Sequence, residues 1–256
     1  MPALGFVGVG TISAAMVRGL KASPLAGWPV LLSPRNAELA GALAASLPGV
    51  RVAPDNQAVI DGAEMVILAV RPQVAESVLR PLRIGADQTV ISLIAGLPIN
   101  SVKSWTGAVK VCRAVPLPFV QHRSDVTPVF PPDPDVLALF DAVGQALPVA
   151  DLATFEIYSA SSSMMGTYFG ILETAEAWAI AQGLPPTNAR AYFSGLFSNL
   201  GDVLRQSQSS LIDLRIAHST RGGLNEQVFA QFTQVGGDEA LANALSSVLA
   251  RIRTAT

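Results

Sequence analysis

The chain has 256 residues, of which half are apolar and only 14% are charged, and its net charge is −2. This composition excludes the disordered and collagen-like classes and offers no basic surface for nucleic acid. No uninterrupted apolar run reaches the roughly 18 residues of a membrane-spanning helix, so no membrane association is expected. The first basic residue, Arg18, follows the first apolar run, whereas a signal peptide has its basic residues before that run. We therefore expect a cytoplasmic protein.

The first part of the sequence alternates short apolar runs with helical patterns. The runs are rich in β-branched residues and bounded by turn residues, as is typical of buried strands. The predicted strands cover residues 4–7, 30–32, 65–70, 89–94, 109–115, 125–130 and 147–150. Predicted helices cover residues 12–21, 36–47, 73–82, 99–105 and 135–146. Repeated strand–helix–strand units predict an α/β fold with a mainly parallel, doubly wound sheet of the Rossmann type.

Beyond residue 150 the apolar residues follow helical periods, and no strand is predicted. The helices expected there cover residues 155–163, 167–182, 186–206, 209–216, 225–235 and 238–252. All three lysines of the chain, Lys21, Lys103 and Lys110, precede this boundary. We therefore predict two domains, a nucleotide-binding domain at 1–150 and an all-helical domain at 151–256.

A glycine-rich turn follows the first predicted strand. It reads Gly8-Val9-Gly10-Thr11-Ile12-Ser13 and opens the first predicted helix. Gly8 allows a tight turn, Gly10 lets a pyrophosphate approach the backbone, and Ser13 is small where the motif usually has a third glycine. The amides of Thr11 and Ile12 at the start of the helix favour phosphate. These residues predict a dinucleotide site.

The end of the second predicted strand indicates which dinucleotide binds. NAD-preferring sites place a carboxylate about 20 residues after the glycines, where it holds the ribose 2′-hydroxyl. Here the chain reads Ser33-Pro34-Arg35-Asn36, without an acid. The Ser33 hydroxyl and the Arg35 guanidinium suit a 2′-phosphate, although Arg35 could also be a solvated residue at a helix start. The sequence favours NADP(H), with NAD(H) as the second choice.

Four further segments form a recognisable combination. They read Ile67-Leu68-Ala69-Val70-Arg71-Pro72-Gln73, Ile91-Ser92-Leu93-Ile94-Ala95-Gly96-Leu97, Arg113-Ala114-Val115-Pro116, and Glu173 followed ten residues later by Gly183-Leu184-Pro185. Together with the glycine turn, they resemble the pyrroline-5-carboxylate reductase family, which reduces a cyclic imine to proline with NAD(P)H. Arg71 stands where that family usually has lysine, and Leu117 where it has asparagine. The resemblance covers nearly the whole chain.

The resemblance implies cofactor contacts where two parallel strands end, since ligands bind at the carboxyl ends of such strands. The implied residues are Ala69, Val70, Arg71, Pro72, Ala95 and Gly96. Whether Arg71 and Arg113 face the cofactor is left open.

The segments that would bind the substrate depart from the family's pattern. The family's Ser-Gly-Ser-Gly-Pro-Ala stretch corresponds to residues 161–166, and its Ser-Pro-Gly-Gly-Thr-Thr loop to residues 219–225, where both threonines are absent. The implied substrate-binding residues are Ser163, Gly222, Gly223 and Leu224. The glycine amides would hold a carboxylate. Asn225, at the place of a threonine, is the candidate catalytic residue because it could orient the substrate, although an amide is a poor proton donor.

The resemblance implies an enzyme, an oxidoreductase acting on CH–NH groups, that reduces the C=N bond of a small carboxylated imine with NADPH. Pyrroline-5-carboxylate is the leading substrate. Reduction of another imine or a keto acid remains an alternative, as does a non-catalytic NADP-binding regulatory protein. The β-hydroxyacid dehydrogenases of similar layout use a lysine in their second domain, and this chain has none after Lys110. The resemblance also implies a homodimer through the helical domain, with the helix predicted at 167–182 forming much of the interface.

Other reactive side chains have ordinary interpretations. Cys112 is the single cysteine and reads as a small core residue, and no metal site is predicted from the Cys and His spacing. His122 is expected at the surface. His218 adjoins the predicted substrate loop, so a functional role for it stays open beside that of a locally hydrogen-bonded loop residue.

Overall fold

The protein is built on one mainly parallel β-sheet, seen in a computed structural model that describes residues 1–255. Residue 256, the predicted end of the second domain, lies outside the described residues. The strands are β1 (Leu4–Val7), β2 (Val30–Leu32), β3 (Val50–Val52), β4 (Met65–Leu68), β5 (Thr89–Ser92), β6 (Lys110–Ala114), β7 (Asp125–Phe130) and β8 (Gly144–Pro148). Across the described chain they are ordered β3-β2-β1-β4-β5-β6-β7-β8, with β6 and β7 antiparallel. The predicted doubly wound fold is confirmed.

Helices cover both faces of this sheet. They are α1 (Thr11–Lys21), α2 (Ala37–Ser46), α3 (Asn56–Asp61), α4 (Pro72–Leu79), α5 (Ile99–Thr106), α6 (Pro134–Ala142) and α7 (Leu152–Ser161), with a 3₁₀ turn at Pro118–His122. Alternate residues of β4 enter two separate hydrophobic clusters: Met65 and Ile67 pack with α1, α2 and α6, whereas Val66 and Leu68 pack with α3, α4 and α5. Burial on both faces explains why the strands are continuous apolar runs.

The sheet region differs from the prediction in several features. The strands predicted at 65–70 and 89–94 end earlier, at Leu68 and Ser92, and the helix predicted at 73–82 ends at Leu79. The prediction missed β3 and α3, which are only three and six residues long and so carry a weak periodic signal. The helix predicted at 135–146 ends at Ala142, and the strand predicted at 147–150 begins earlier, at Gly144. At Gly144 the backbone approaches β7 so closely that a Cβ would lie 2.4 Å from the Asp125 carbonyl oxygen. The glycine therefore permits strand pairing where helical periodicity suggested a continuing helix.

The chain divides into two compact units. The first contains Met1–Ser162 and the end of the chain from Leu249, and the second contains Ser163–Val248. The first unit continues past the predicted boundary at residue 150 because α7 packs on the sheet, with Phe155, Glu156 and Ala160 buried. Helical periodicity alone does not show which unit a helix packs against.

The second unit is helical, as predicted. Its helices are α8 (Met164–Ala181), α9 (Pro186–Gln206), α10 (Leu211–Ala217), α11 (Leu224–Gln234) and the greater part of α12 (Gly237–Ala255). Among the described residues, none of the protein's helices has the length and apolar character to cross a membrane. In the segment Ser163–Val248, only Ala179 and Ala189 are fully buried, while many large apolar side chains are exposed. The second unit, described by itself, therefore has almost no core.

Close packing of α1 on the 3₁₀ turn gives a first prediction, concerning Gly19. A Cβ at Gly19 would lie 2.1 Å from the backbone carbonyl oxygen of Val120. Gly19→Ala should therefore lower the free energy of unfolding by about 1–3 kcal/mol, because backbone must move to admit the methyl group. Urea unfolding at a fixed protein concentration measures the change.

Gly41→Ala is the matched control, since Gly41 is exposed on α2 and a Cβ there would meet nothing within 4 Å. This substitution should raise stability by about 0.5–1 kcal/mol through helix propensity. Equal effects of the two alanines would contradict the packing argument.

Candidate functional site

The glycine turn between β1 and α1 has the backbone that the motif predicts. Gly8 adopts a φ of 99°, and a Cβ there would lie 2.7 Å from the Ala69 carbonyl oxygen. The Ser13 hydroxyl donates to the Gly8 carbonyl oxygen at 2.8 Å, which holds the turn against the helix. At Gly10, by contrast, a Cβ would meet nothing within 4 Å. Gly8 is thus required by the fold, whereas Gly10 borders open space.

The start of α1 is suited to an anion. Its N-cap, Gly10, has no capping side chain, and the first turn carries no acidic residue. Thr11 is exposed at this helix start. Backbone amides and the positive end of the helix dipole therefore point to the space beside the glycines.

A cavity of about 390 Å³, here called the glycine-turn cavity, occupies this space. Its lining residues are Gly8, Val9, Gly10, Arg35, Asn36, Ala69, Val70, Arg71 and Val74. Arg35 and Arg71 are both exposed, so two guanidinium groups lie at its rim. The structure thus brings the predicted glycines together with the two arginines at the carboxyl edge of the sheet.

Ser33 has a different place from the one expected. It is 1% exposed, and its Oγ accepts a hydrogen bond from the Gly8 amide at 2.9 Å. Nearby, the Asn36 side chain donates to the Val9 carbonyl oxygen at 3.0 Å. Because Ser33 is buried behind the turn, its hydroxyl supports the glycine backbone and is not presented at the cavity rim. Of the two residues expected to meet a 2′-phosphate, Arg35 alone lines the cavity.

A second cavity of about 210 Å³, here called the strand-end cavity, adjoins the first. Ala69 and Val70 line both cavities. The other lining residues are Ile12, Ser92, Leu93, Ile94, Ala95, Gly96, Arg113, Ala114, Val115, Pro116, Phe155, Ser159, Ser162 and Ile252. Pro72 lies with Ala95 and Gly96 at a further depression beside Trp105. Ten of the twelve predicted cofactor-binding residues line these three neighbouring depressions, whereas Thr11 is exposed at the start of α1 and Ser33 is buried behind the turn.

A buried charge lies in the wall of the strand-end cavity. Arg113 is 3% exposed at the end of β6, and its guanidinium carbon lies 4.9 Å from the centre of the Phe155 ring. Burial lowers the pKa of Arg113, and the nearby Glu156 carboxylate opposes that shift. Glu156 also accepts a hydrogen bond from Nε of Arg253 at 3.2 Å.

Sequence reasoning missed Phe155, Glu156 and Ser159 because they lie on α7, outside any recognised motif. The only available signal was Arg113 itself, since a charged residue on a buried strand requires a partner.

The predicted substrate loop lies in the second unit, before α11. Gly222 adopts a φ of 71°, and its amide donates to Glu226 at 2.5 Å. The Gly223 amide donates to the Thr220 carbonyl oxygen at 2.8 Å. The Gly222 amide is therefore bound to a side chain of α11 and the Gly223 amide to the loop backbone. A substrate carboxylate at Gly222 would have to replace Glu226. Leu224, which is 80% exposed, begins the helix.

Three other predicted residues belong to this unit. The Asn225 side chain donates to the His218 carbonyl oxygen at 2.7 Å and so closes the loop. The Nδ1 atom of His218 lies 2.8 Å from the Leu214 carbonyl oxygen, which matches a locally bonded loop histidine. Ser163 is exposed directly before α8.

Cys112 lies in the hydrophobic core, as the sequence predicts. It is buried, and burial raises the pKa of its thiol to about 11. Across residues 1–255, no group of three or more His, Cys, Asp or Glu side chains is arranged to hold a metal ion.

Two family models match separate parts of the chain. Residues 3–96 match the model described as NADP oxidoreductase coenzyme F420-dependent. Residues 155–255 match the model described as pyrroline-5-carboxylate reductase dimerisation. The first match contains the glycine turn and both strand ends at which cofactor contacts are predicted, and the second contains the predicted substrate loop.

Individual proteins match over almost the full length. Pyrroline-5-carboxylate reductase of Pseudomonas aeruginosa is 26% identical over 252 residues, covering 94% of this chain and 91% of that protein. The crystal structure of the Streptococcus pyogenes 1-pyrroline-5-carboxylate reductase covers 99% of this chain and 98% of its own, with 22% identity and a TM-score of 0.86. The Plasmodium falciparum pyrroline carboxylate reductase, solved with NADP bound, covers 99% and 98% with 15% identity and a TM-score of 0.82. These two structures support the fold.

Proposed function

Because the chain belongs to the pyrroline-5-carboxylate reductase family, we propose that it reduces pyrroline-5-carboxylate to proline with NADPH. The observation that carries this proposal is the continuous site at the sheet edge. There, the glycine turn, the Arg35 rim and the strand-end cavity follow one another, with Ala69 and Val70 shared between the two cavities. An elongated dinucleotide has a place for its phosphates and a separate place for its reactive end.

The residues present fit NADPH at both ends. Open space at Gly10 and the uncapped start of α1 suit the pyrophosphate, and Arg35 suits the 2′-phosphate. The bound cofactor supplies the hydride. Phe155 and Ile252 help form a largely apolar wall that limits water around the reactive end.

The chain need not supply a strong general acid. A protonated imine is already activated toward hydride, and water can provide its proton. The first-turn amides of α11, at Leu224 and Asn225, would bind the substrate carboxylate, and the Gly222 amide would join them once the carboxylate has replaced Glu226 as its acceptor. The Asn225 side chain would act by holding this turn through its bond to the His218 carbonyl oxygen.

A homodimer formed by the helical unit is part of the proposal. The match to a dimerisation model over residues 155–255 supports it, as do the exposed apolar side chains of α8 and α9. Exposed patches of this kind mark association surfaces.

NADPH oxidation in the presence of pyrroline-5-carboxylate tests the function, with proline identified as the product. Five- and six-membered cyclic imines with and without a carboxylate, together with keto acids, form the comparison set. We expect the highest kcat/KM for pyrroline-5-carboxylate. A higher value for another imine or a keto acid would contradict the substrate assignment. NADPH binding without oxidation of the cofactor by any substrate would instead indicate a regulatory protein.

The substrate role of the turn before α11 gives a second prediction. Gly222→Val should raise KM for the imine about tenfold or more, because valine is strained at a φ of 71° and would displace the turn. NADPH affinity, measured by fluorescence titration, should stay unchanged.

Gly236→Val is the matched control, since Gly236 also has a positive φ, 81°, but lies after α11. It should cost stability without a comparable rise in KM. Weaker NADPH binding by Gly222→Val would contradict the assignment of the turn to the substrate.

A further inference from the structure

Arg113 is the charged residue of the strand-end cavity. Among the described residues that line this cavity, it alone carries a charge, and the rest are apolar residues, glycine or serine. It is 3% exposed, so its guanidinium interacts with the cavity through little water. A guanidinium keeps its proton at all physiological pH values, so the charge is permanent.

The surroundings of Arg113 hold this charge in place. Its guanidinium stacks on Phe155 at 4.9 Å, and the buried Glu156 carboxylate stabilises its cationic form. Glu156 also accepts a hydrogen bond from Nε of Arg253 at 3.2 Å, so its carboxylate interacts with the guanidinium groups of both Arg113 and Arg253. The side chain of Arg253 is 51% exposed, whereas that of Glu156 is 7% exposed.

The proposed function places the reactive end of the cofactor in this cavity, and the inference rests on that placement. A nicotinamide ring is uncharged when reduced and carries one positive charge when oxidised. A fixed cation in a poorly hydrated wall therefore repels the oxidised ring and leaves the reduced ring nearly unaffected.

We propose that Arg113 is a specificity-determining residue that makes the strand-end cavity prefer the reduced cofactor to the oxidised one. Its effect is to weaken NADP⁺ relative to NADPH, and so to favour release of the oxidised cofactor after each turnover. Glu156 acts in the opposite direction because its carboxylate partly offsets the Arg113 charge. The two side chains together set the ratio of the two affinities.

The test measures Kd of NADPH by fluorescence and Kd of NADP⁺ by competition, without substrate. In Arg113→Met, the ratio Kd(NADP⁺)/Kd(NADPH) should fall about tenfold, as a charge interaction in a partly desolvated site predicts. Arg113→Lys, which keeps the charge, should retain most of the ratio. In Glu156→Gln the ratio should rise, because the offsetting charge is gone. NADP⁺ should also become a stronger product inhibitor of Arg113→Met.

The ratio Kd(NADP⁺)/Kd(NADPH) is expected to change in opposite directions in Arg113→Met and Glu156→Gln, which distinguishes this effect from general damage to the site. A packing defect would weaken both forms of the cofactor alike, so an unchanged ratio in folded Arg113→Met would overturn the inference. A shift in the same direction in Arg113→Met and Glu156→Gln would overturn it as well. Should Arg113→Met not fold, Arg113→Lys and Glu156→Gln still decide the question. Binding of NADP(H) with the expected ratios but no imine reduction would support the inference while refuting the proposed reaction. No binding of NADP(H) by the wild type would refute both.

Discussion

Replacement of Arg35 by aspartate should weaken NADPH binding about 100-fold, while NADH binding should change less than about threefold. A charge-assisted hydrogen bond to the 2′-phosphate contributes about 1.5–3 kcal/mol, and the new carboxylate adds repulsion of about 1 kcal/mol in a water-exposed setting. Arg35 lines the glycine-turn cavity and is exposed, so raising the salt concentration should weaken NADPH binding by the wild type. Titration of both cofactors with wild type and variant measures the effect.

Ser33→Ala is the matched control for Arg35→Asp. Ser33 accepts the Gly8 amide at 2.9 Å from a buried position, so its loss leaves that amide without its acceptor and loosens the turn. Both cofactors share this turn, so NADPH and NADH should weaken by the same factor. An unchanged NADPH/NADH ratio in Arg35→Asp would refute the 2′-phosphate assignment.

The residues proposed to hold the cofactor could be predicted from the sequence because a glycine turn has local requirements. The tight strand-to-helix turn requires the positive φ of 99° at Gly8, and a six-residue motif is enough to predict such a turn. Arg35 was likewise predicted from its position after a strand end, and it lines the glycine-turn cavity. Ser33 shows the limit of prediction from the sequence. A serine after this strand can direct its hydroxyl either to the cavity rim or to the buried turn, and here the hydrogen bond from the Gly8 amide fixes it at the turn.

The remaining parts of the site depend on contacts between distant segments. Phe155 and Ser159 reach the strand-end cavity only because α7 packs on the sheet, and Ile252 comes from the last helix. No sequence period records such contacts. Asn225 was placed correctly at the start of a helix, yet its bond to the His218 carbonyl oxygen depends on the loop conformation.

Phe169→Asp should convert the proposed dimer largely into monomer. Phe169 is 64% exposed on α8, within a unit that has almost no core of its own. Burial of such a side chain contributes about 1.5–3 kcal/mol, and in a two-fold dimer the loss occurs twice. A buried carboxylate adds a further penalty. The dimer dissociation constant should therefore rise more than about 100-fold, measured by analytical ultracentrifugation over a range of concentrations.

Phe119→Asp provides the control, because it makes the same substitution at a 47% exposed phenylalanine of the first unit. If the exposed apolar residues of α8 are covered by a second copy of the chain, Phe119→Asp should remain dimeric. Its NADPH affinity then shows whether the substitution damages the first unit locally.

Burial of α8 in a dimer also accounts for the unusual composition. A chain with only 14% charged residues has too few to cover both the sheet unit and an isolated helical unit. A dimeric Phe169→Asp, or a monomeric wild type, would leave the exposed apolar helices without the proposed partner.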